Sequence, residues 1–258
     1  MLFNKPSRFL FLASLSVSSV FAGGLASSSE GLSVPSKWSL SSLKEGHPVF
    51  QLGGYCGIQG KEQHIDIDSL IGDTFTTENR QASNGLAGIG YFIEGQEKGS
   101  FAMSYGVNAF YLAKTSASGN VIQENLFTNL SYGYHITHYP VYAIAKSTWD
   151  LKSSKYALTV DAGIGPNFMR ADGFQEHSLD GGVTIPDNIF SAYTSTVFSA
   201  TAGVGVKINS MFGRAPLECG YRFFYLGQGR FNNTTNQVLN TFGTGTAYGN
   251  AILCAITV

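Results

Sequence analysis

Three side chains that often bind metal ions alternate along one stretch of the chain, namely His64, Asp66 and Asp68. Alternate residues of an extended chain point to the same side, so one imidazole and two carboxylates would face a common ligand. The spacing matches no specific metal motif, and a solvated loop face is the favoured interpretation. The sequence therefore predicts no metal and no cofactor, and it marks these three residues only as a speculative loop site.

The chain offers little that would support catalysis. It contains neither G-x-S-x-G nor H-E-x-x-H, which are motifs of serine hydrolases and zinc proteases. Ser131 lies four residues before His135 on the same face of an extended chain. That separation is about 13 Å along a strand, which is beyond hydrogen-bond reach. We therefore predict no catalytic residues and no enzyme, and a lipid hydrolase or acyltransferase remains a third hypothesis.

Six charged residues fall on the polar face of an apolar–polar alternation, three acidic and three basic: Glu94, Lys146, Asp161, Lys207, Glu218 and Arg222. Unpaired charges inside a narrow barrel would be costly, so opposite charges should meet across strands. Glu218 and Arg222 are about 13 Å apart along one strand, and we expect each to pair with neighbours such as Lys207 or Asp161. The balanced set predicts an internal ionic network, whereas an ion-selective pore would show a one-sided ring.

The elements that position these residues must suit an unusual composition. The chain has 258 residues, of which only 13% are charged, and it contains 31 Gly, 13 Tyr and 19 Phe. Disordered chains have high charge and few aromatic residues, so this composition argues against disorder. The formal net charge is −1 and no basic stripe is present, which argues against binding to nucleic acid.

The N-terminus predicts export. Residues 1–22 combine Lys5 and Arg8 with a short apolar stretch that four serines interrupt, which is typical of a cleaved signal peptide and too short for a membrane anchor. Residues 23–47 are rich in Ser and Gly and are predicted to be a flexible leader, with a plug inside the fold as the alternative. Residues 48–258 are assigned to the folded domain.

From Pro48 onward the apolar residues alternate with a period of two in eight segments. The segments are 49–58, 85–94, 100–113, 121–151, 156–167, 194–209, 217–227 and 246–258. The fourth is ambiguous, because the alternation changes parity near Pro140. One long strand with a bulge is favoured over two strands, since single-chain bacterial barrels use even strand numbers.

The two faces of these segments differ in a way that favours a membrane barrel over a soluble β-sandwich. The polar face carries Gly, Ser, Thr and Asn with few charges, which suits a narrow barrel interior, and the apolar face is rich in Tyr and Phe. Short connections at 95–99, 152–155 and 210–216 alternate with connections at 60–84, 114–120, 171–193 and 228–245 that are mostly long. We therefore predict an all-β, eight-stranded antiparallel up-and-down transmembrane β-barrel with short periplasmic turns and long extracellular loops.

Three stretches carry a resemblance to a known family. Residues 157–169 (ALTVDAGIGPNFM), 200–209 (ATAGVGVKIN) and 217–225 (LECGYRFFY), followed by a final strand, resemble the C-terminal half of OmpA-like and opacity-type eight-stranded outer-membrane proteins. The likeness covers most of residues 48–258 and is best from residue 156 onward. The resemblance implies a bacterial outer-membrane location.

The cysteine count is odd, so at least one of Cys56, Cys219 and Cys254 is unpaired. Cys219 and Cys254 lie on adjacent predicted strands at similar heights, and a disulfide between them is conceivable in an oxidising compartment. Three free, lipid-facing cysteines are the favoured interpretation, because a disulfide needs a specific Cβ geometry.

The resulting functional prediction is an integral outer-membrane barrel with a structural or surface-interaction role. Its partners would be outer-membrane lipids, the barrel assembly machinery and host or matrix molecules that meet the extracellular loops. A small gated, porin-like channel is the alternative.

Overall fold

The computed structural model describes residues 46–151, 155–212 and 215–258, in which every regular element is a β-strand. The predicted signal peptide at 1–22 and residues 23–45 of the predicted leader lie outside these ranges. His47, the last residue assigned to the leader, is the first residue of the first strand. In the described part of the chain, no helix is long and apolar enough to cross a membrane.

Eight long antiparallel strands close into a ring. They are β1 (His47–Ile58), β4 (Gln81–Lys98), β5 (Phe101–Gln123), β6 (Phe127–Asp150), β7 (Tyr156–Ser178), β9 (Tyr193–Phe212), β10 (Ala215–Arg230) and β12 (Gly243–Thr257). Each long strand pairs with the next one along the chain, and β1 pairs with β12 to close the ring. This topology confirms the predicted eight-stranded up-and-down barrel.

The two ends of the barrel differ. One end, the loop end, carries four short strands, β2 (Gln63–Ile65), β3 (Asp73–Phe75), β8 (Phe190–Ser191) and β11 (Asn232–Asn233). β2 and β3 form a hairpin that pairs with the end of β5, and β8 pairs with β11. The other end, the short-turn end, carries the connections between β4 and β5, between β6 and β7 and between β9 and β10.

Most strands extend further towards the loop end than the sequence predicts. The connection predicted at 114–120 is wrong, because these residues belong to β5. The chain turns instead at 124–126, where Glu124 and Asn125 both have positive φ angles of 52° and 57°, as in tight hairpin turns. The predicted strand limits were set by where the outward-facing apolar residues end. The strands continue beyond that height towards the loop end.

Residues 127–150 form the single strand β6, so the preference for one long strand is confirmed, but its predicted start at 121 is wrong because 121–123 end β5 and 124–126 form the turn. The bulge predicted near Pro140 is wrong: the extra residue of β6 is Asn129, close to the turn, and the other register shifts arise from extra residues in the neighbouring strands. β5 has an extra residue between Leu112 and Thr115, and β7 has one between Asp172 and Gln175. A bulge changes which face of its own strand a residue occupies, so β5 and β7 switch parity at these points while β6 keeps its parity from Leu130 to Ile144.

The apparent change of parity in β6 has a different cause. Even-numbered residues face the interior from Leu130 to Ile144, including Tyr132 and Tyr134, which are buried. Near the short-turn end the large outward residues are apolar, and Trp149 is 37% exposed. Near the loop end the large apolar residues lie inside. The outer wall is therefore apolar over only part of the barrel's height.

Cys219 and Cys254 form a disulfide, so the favoured interpretation of three free cysteines is wrong. The two residues lie directly opposite each other in the β10–β12 register, with their Cα atoms 4.1 Å apart. Directly opposed residues on one sheet face bring their Cβ atoms within bonding range of two sulfurs. The register, which the sequence alone does not fix, decided the outcome.

The disulfide leads to a countable prediction. Because Cys56 is free, the denatured protein should take up one alkylating group before reduction and three after it. Mass spectrometry checks this count. The variant Cys56→Ser should take up no alkylating group before reduction and two after it. Three alkylated sites in unreduced protein purified from an oxidising compartment would contradict the disulfide.

Candidate functional site

The centre of the barrel holds a buried ion pair between Asp161 of β7 and Arg222 of β10. The Arg222 Nη2 donates to Asp161 Oδ2 at 2.8 Å, and the two side chains are 7% and 5% exposed. Gly203 of β9 lies between them and pairs with both in the sheet register. A Cβ there would lie 2.9 Å from the Asp161 carboxylate and 3.1 Å from the guanidinium. The glycine therefore leaves the space through which the pair reaches across β9.

Further contacts hold the Arg222 guanidinium. Its Nη1 donates to Thr201 Oγ1 at 3.3 Å, and Thr201 donates in turn to the Phe223 carbonyl at 2.8 Å. The guanidinium carbon lies 5.5 Å from the centre of the Phe110 ring, a cation–π distance. Such supporting contacts are what a charge withdrawn from water requires.

A second ion pair lies closer to the short-turn end. Lys146 of β6 donates to Glu218 of β10, and Thr159 donates to the other carboxylate oxygen at 2.8 Å. Each charged side chain is 17% exposed. Four of the six predicted interior charges thus form two pairs that cross the barrel, each joining β10 to β6 or β7.

The other two predicted residues lie at the short-turn mouth. Glu94 is 3.5 Å from His47 at the exposed rim. Lys207 lines a small cavity of about 90 Å³ together with Glu94, Lys146 and Glu218. Lys207 is opposite Glu218 in the register, but Glu218 bonds Lys146 instead. The expected partner of Arg222 is present, and the expected pairing of Glu218 with Lys207 is replaced by one with Lys146.

Aromatic rings fill the loop end of the interior. This cluster, which we call the aromatic plug, consists of seven rings that are at most 7% exposed: Phe75, Tyr132, Tyr134, Phe174, Phe190, Phe231 and Phe242. Neighbouring ring centres are 5.0 to 6.3 Å apart. Tyr132 and Tyr134 come from β6 and Phe174 from β7, whereas the remaining rings come from the short strands and the connections. The plug therefore fastens the loops onto the barrel.

The speculative loop site His64, Asp66 and Asp68 is only partly brought together. His64 Nε2 lies 3.7 Å from Asp66, but its two ring nitrogens also contact Thr74 Oγ1 at 3.0 Å and the Ile71 carbonyl at 2.9 Å. Asp68 accepts from Ser69 at 3.5 Å. Over the described ranges, no three His, Cys, Asp or Glu side chains form a group that could hold a metal ion.

Asp73 on β3 gives a pH-dependent prediction. Partial burial raises its pKa, the Glu124 N–H that it accepts at 3.1 Å lowers it, and the charges of Glu124 and Asp187 raise it, so the net shift is upward. The folded state therefore binds the proton more tightly than the unfolded state, and the associated stability is lost as the pH rises through the raised pKa. Asp73→Asn should raise the urea midpoint at neutral pH and leave it unchanged below 3.8, the ordinary Asp pKa. Equal shifts at both pH values would contradict this.

The strand pairing defines the class of the protein: it is an eight-stranded, up-and-down antiparallel β-barrel. No protein-family model and no curated protein match the chain. Among solved structures, it is similar to Neisserial surface protein A, with 12% identity over 81% of this chain and 95% of that one and a TM-score of 0.38. It is also similar to the outer membrane protein OprG from Pseudomonas aeruginosa, with 11% identity over 82% and 96% and a TM-score of 0.44. The outer membrane protease OmpT from Escherichia coli has 9% identity over 82% and 95% and a TM-score of 0.43.

Proposed function

We propose that this chain is a bacterial outer-membrane protein, with the short-turn end in the periplasm and the loop end outside the cell. One observation carries the proposal: large apolar side chains cover the outer wall, whereas a soluble monomer rarely exposes a contiguous apolar surface of such extent. They include Phe50, Leu52, Ile89, Val107, Leu158, Val160, Ile164, Phe198, Val204, Val206 and Ile252. We also propose that the chain belongs to the OmpA-like and opacity-type proteins, which its sequence resembles.

The height of the apolar wall suits a bilayer. Exposed aromatic residues bound it, with Trp149 near the short-turn end of β6 and Tyr139 ten residues closer to the loop end. Ten residues span about 33 Å along a strand, or about 23 Å vertically at a tilt of about 45°. Outer-membrane barrels have an apolar band of about 25 Å between two aromatic girdles.

The filled interior favours a structural or surface-interaction role over the alternative of a gated channel. Two ion pairs cross the barrel, and the aromatic plug fills the loop end above them. The two ion pairs balance positive and negative charge, whereas a selective pore needs unpaired charges of one sign along an aqueous path. A planar bilayer should therefore show no stable conductance, and a steady ohmic current through the wild-type protein would contradict the closed barrel.

An exposed apolar surface at the loop end supports the proposed surface-interaction role. We call it the apolar tip, and its members are Leu70, Ile71, Leu126, Phe127, Leu179, Val183 and Ile185, which are 54% to 83% exposed. Hydrogen bonds join the segments that carry them: Ile71 N–H to Glu124 Oε2 at 3.1 Å, and Asn129 Nδ2 to Thr184 Oγ1 at 2.8 Å. Exposed apolar groups at the end of a rigid barrel indicate contact with another molecule, and we propose host or matrix proteins as that partner.

A binding screen on whole cells tests the role of the apolar tip. Val183→Ser with Ile185→Ser should abolish attachment to a protein ligand while the barrel stays folded, because both side chains are exposed and leave the plug intact. Leu239→Ser is the matched control, since Leu239 is 64% exposed at the same end but lies in another connection. Unchanged attachment in the double variant, for every ligand that binds the wild type, would remove the apolar tip from the proposal.

A further inference from the structure

A serine and a histidine meet on the outer wall of the barrel. Ser116 of β5 and His135 of β6 lie opposite each other in the register, and Ser116 Oγ is 2.9 Å from His135 Nδ1. Ser116 is exposed and His135 is half-buried. The sequence alone brings Ser131 closest to His135 on one face, but too far away for a hydrogen bond. In the structure Ser131 contacts the His177 carbonyl, and Ser116 is the serine that contacts His135.

Two bulges create this pair. Tyr111 and Ser116 are five residues apart yet both face outward, because the extra residue after Leu112 switches the parity of β5. In β7 the bulge contains Gly173, which has a φ of 64°, and a Cβ there would lie 2.7 Å from His135 Cδ2. The glycine thus leaves room for the imidazole ring. Bulges are over-represented beside active sites, where they redirect a side chain.

A groove of about 410 Å³ opens beside the pair. Its lining includes Ser116, His135 and Gly173, with Ser118 and His177 further towards the loop end. It lies apart from the ion pairs, and Tyr132 and Tyr134, whose rings belong to the aromatic plug, contribute to its lining. A substrate could therefore reach Ser116 from the side, without entering the barrel.

The height of the groove points to the headgroups of the outer leaflet. Tyr111 and Tyr139 contact each other on the outer wall below it, with ring centres 5.5 Å apart and ring planes tilted by 34°, and belong to the upper aromatic girdle. Two exposed cations, Lys114 and Arg170, lie between this girdle and the groove, each 3.1 Å from Asp172. Exposed cations at headgroup height attract lipid phosphates.

From these observations we infer that Ser116 and His135 form an esterase site for acyl esters of phosphate-bearing lipids in the outer leaflet. Ser116 Oγ attacks the ester carbonyl and passes its proton to His135. The alcohol of the lipid leaves with that proton, which gives an acyl-serine. Water then attacks the acyl-serine with His135 as the base, and the products are a free fatty acid and the original serine. Lys114 and Arg170 would hold the phosphate.

This activity goes beyond the proposed surface role, and its test is independent of the apolar tip. The full-length protein is refolded into vesicles that contain either phosphatidylglycerol or lipopolysaccharide, and free fatty acid is measured. We expect release above the rate of protein-free vesicles from one of the two, which also identifies the lipid. Ser116→Ala and His135→Ala should lower the rate at least about 100-fold, as removal of a nucleophile or its base does. Ser147→Ala, on β6 but outside the groove, should keep the wild-type rate.

A second measurement covers the case of slow turnover or a misfolded variant. A fluorophosphonate probe should label folded wild-type protein at Ser116, with loss of fluoride, and His135→Ala should abolish the labelling while the heat-dependent gel mobility of the barrel is retained. No labelling of Ser116 together with no fatty acid from either vesicle would overturn the proposal. Equal rates for wild type and a folded Ser116→Ala would also overturn it.

Discussion

Replacing Arg222 by alanine is expected to lower the free energy of unfolding by about 3–5 kcal/mol, because it leaves a buried carboxylate without its partner. Asp161 would keep a side chain that is only 5% exposed and would lose the Nη2 donor at 2.8 Å. Removal of one member of a buried pair is costlier than removal of both. A urea titration of the protein in phospholipid vesicles, followed by tryptophan fluorescence, measures the change.

Two control variants make this expectation specific. Arg230→Ala removes an exposed cation that lies 5.0 Å from the Tyr193 ring, and it should cost about 1 kcal/mol or less. Asp161→Leu combined with Arg222→Met replaces the pair by apolar groups of similar size and should recover much of the loss. An effect of Arg222→Ala no larger than that of Arg230→Ala would show that the pair is not a buried structural element.

Phe242→Ala is expected to cost about 3–5 kcal/mol, through lost burial and the cavity that remains. The ring is fully buried, and its centre lies 5.1 to 5.7 Å from six other rings of the aromatic plug. It joins the connection before β12 to β6, β7 and the β2–β3 hairpin. The variant should therefore also expose the amides of β2 and β3 to hydrogen exchange.

Leu239→Ala is the matched control for Phe242→Ala, because Leu239 lies in the same connection and is 64% exposed. It should leave both the urea midpoint and the exchange of the hairpin unchanged. If the two variants behaved alike, the plug would not be what fastens the loops to the barrel.

The alternation of apolar residues predicted the number and order of the long strands, because a period of two follows directly from the pleat. It did not predict how far they extend. Alternation shows which residues share a face, but it does not show whether that face is the outer or the inner one. Where the wall contacts lipid the apolar residues face outward, and nearer the loop end they face inward. Tyr132 and Tyr134 illustrate this, since their spacing matches that of the lipid-facing residues while their rings lie in the plug.

The candidate sites were predictable to the extent that they depend on parity. The interior positions of Asp161 and Arg222 follow from alternation, whereas the exchange of Lys207 for Lys146 as the partner of Glu218 depends on how side chains cross the barrel. Ser116 and His135 could not be paired from the sequence, because the bulge after Leu112 changes both the face and the register of β5. The disulfide between Cys219 and Cys254 was missed because the sequence does not fix the register that places them opposite each other.

The central claim is a closed barrel that folds in the outer membrane. A closed ring of backbone hydrogen bonds leaves no strand edge for detergent to enter, so the barrel should resist dodecyl sulfate until heated. The direct test runs boiled and unboiled samples of outer-membrane fractions on a denaturing gel. We expect the protein in that fraction, with the unboiled form migrating faster than the boiled form. Identical mobility, with the protein recovered in the soluble fraction, would contradict the account.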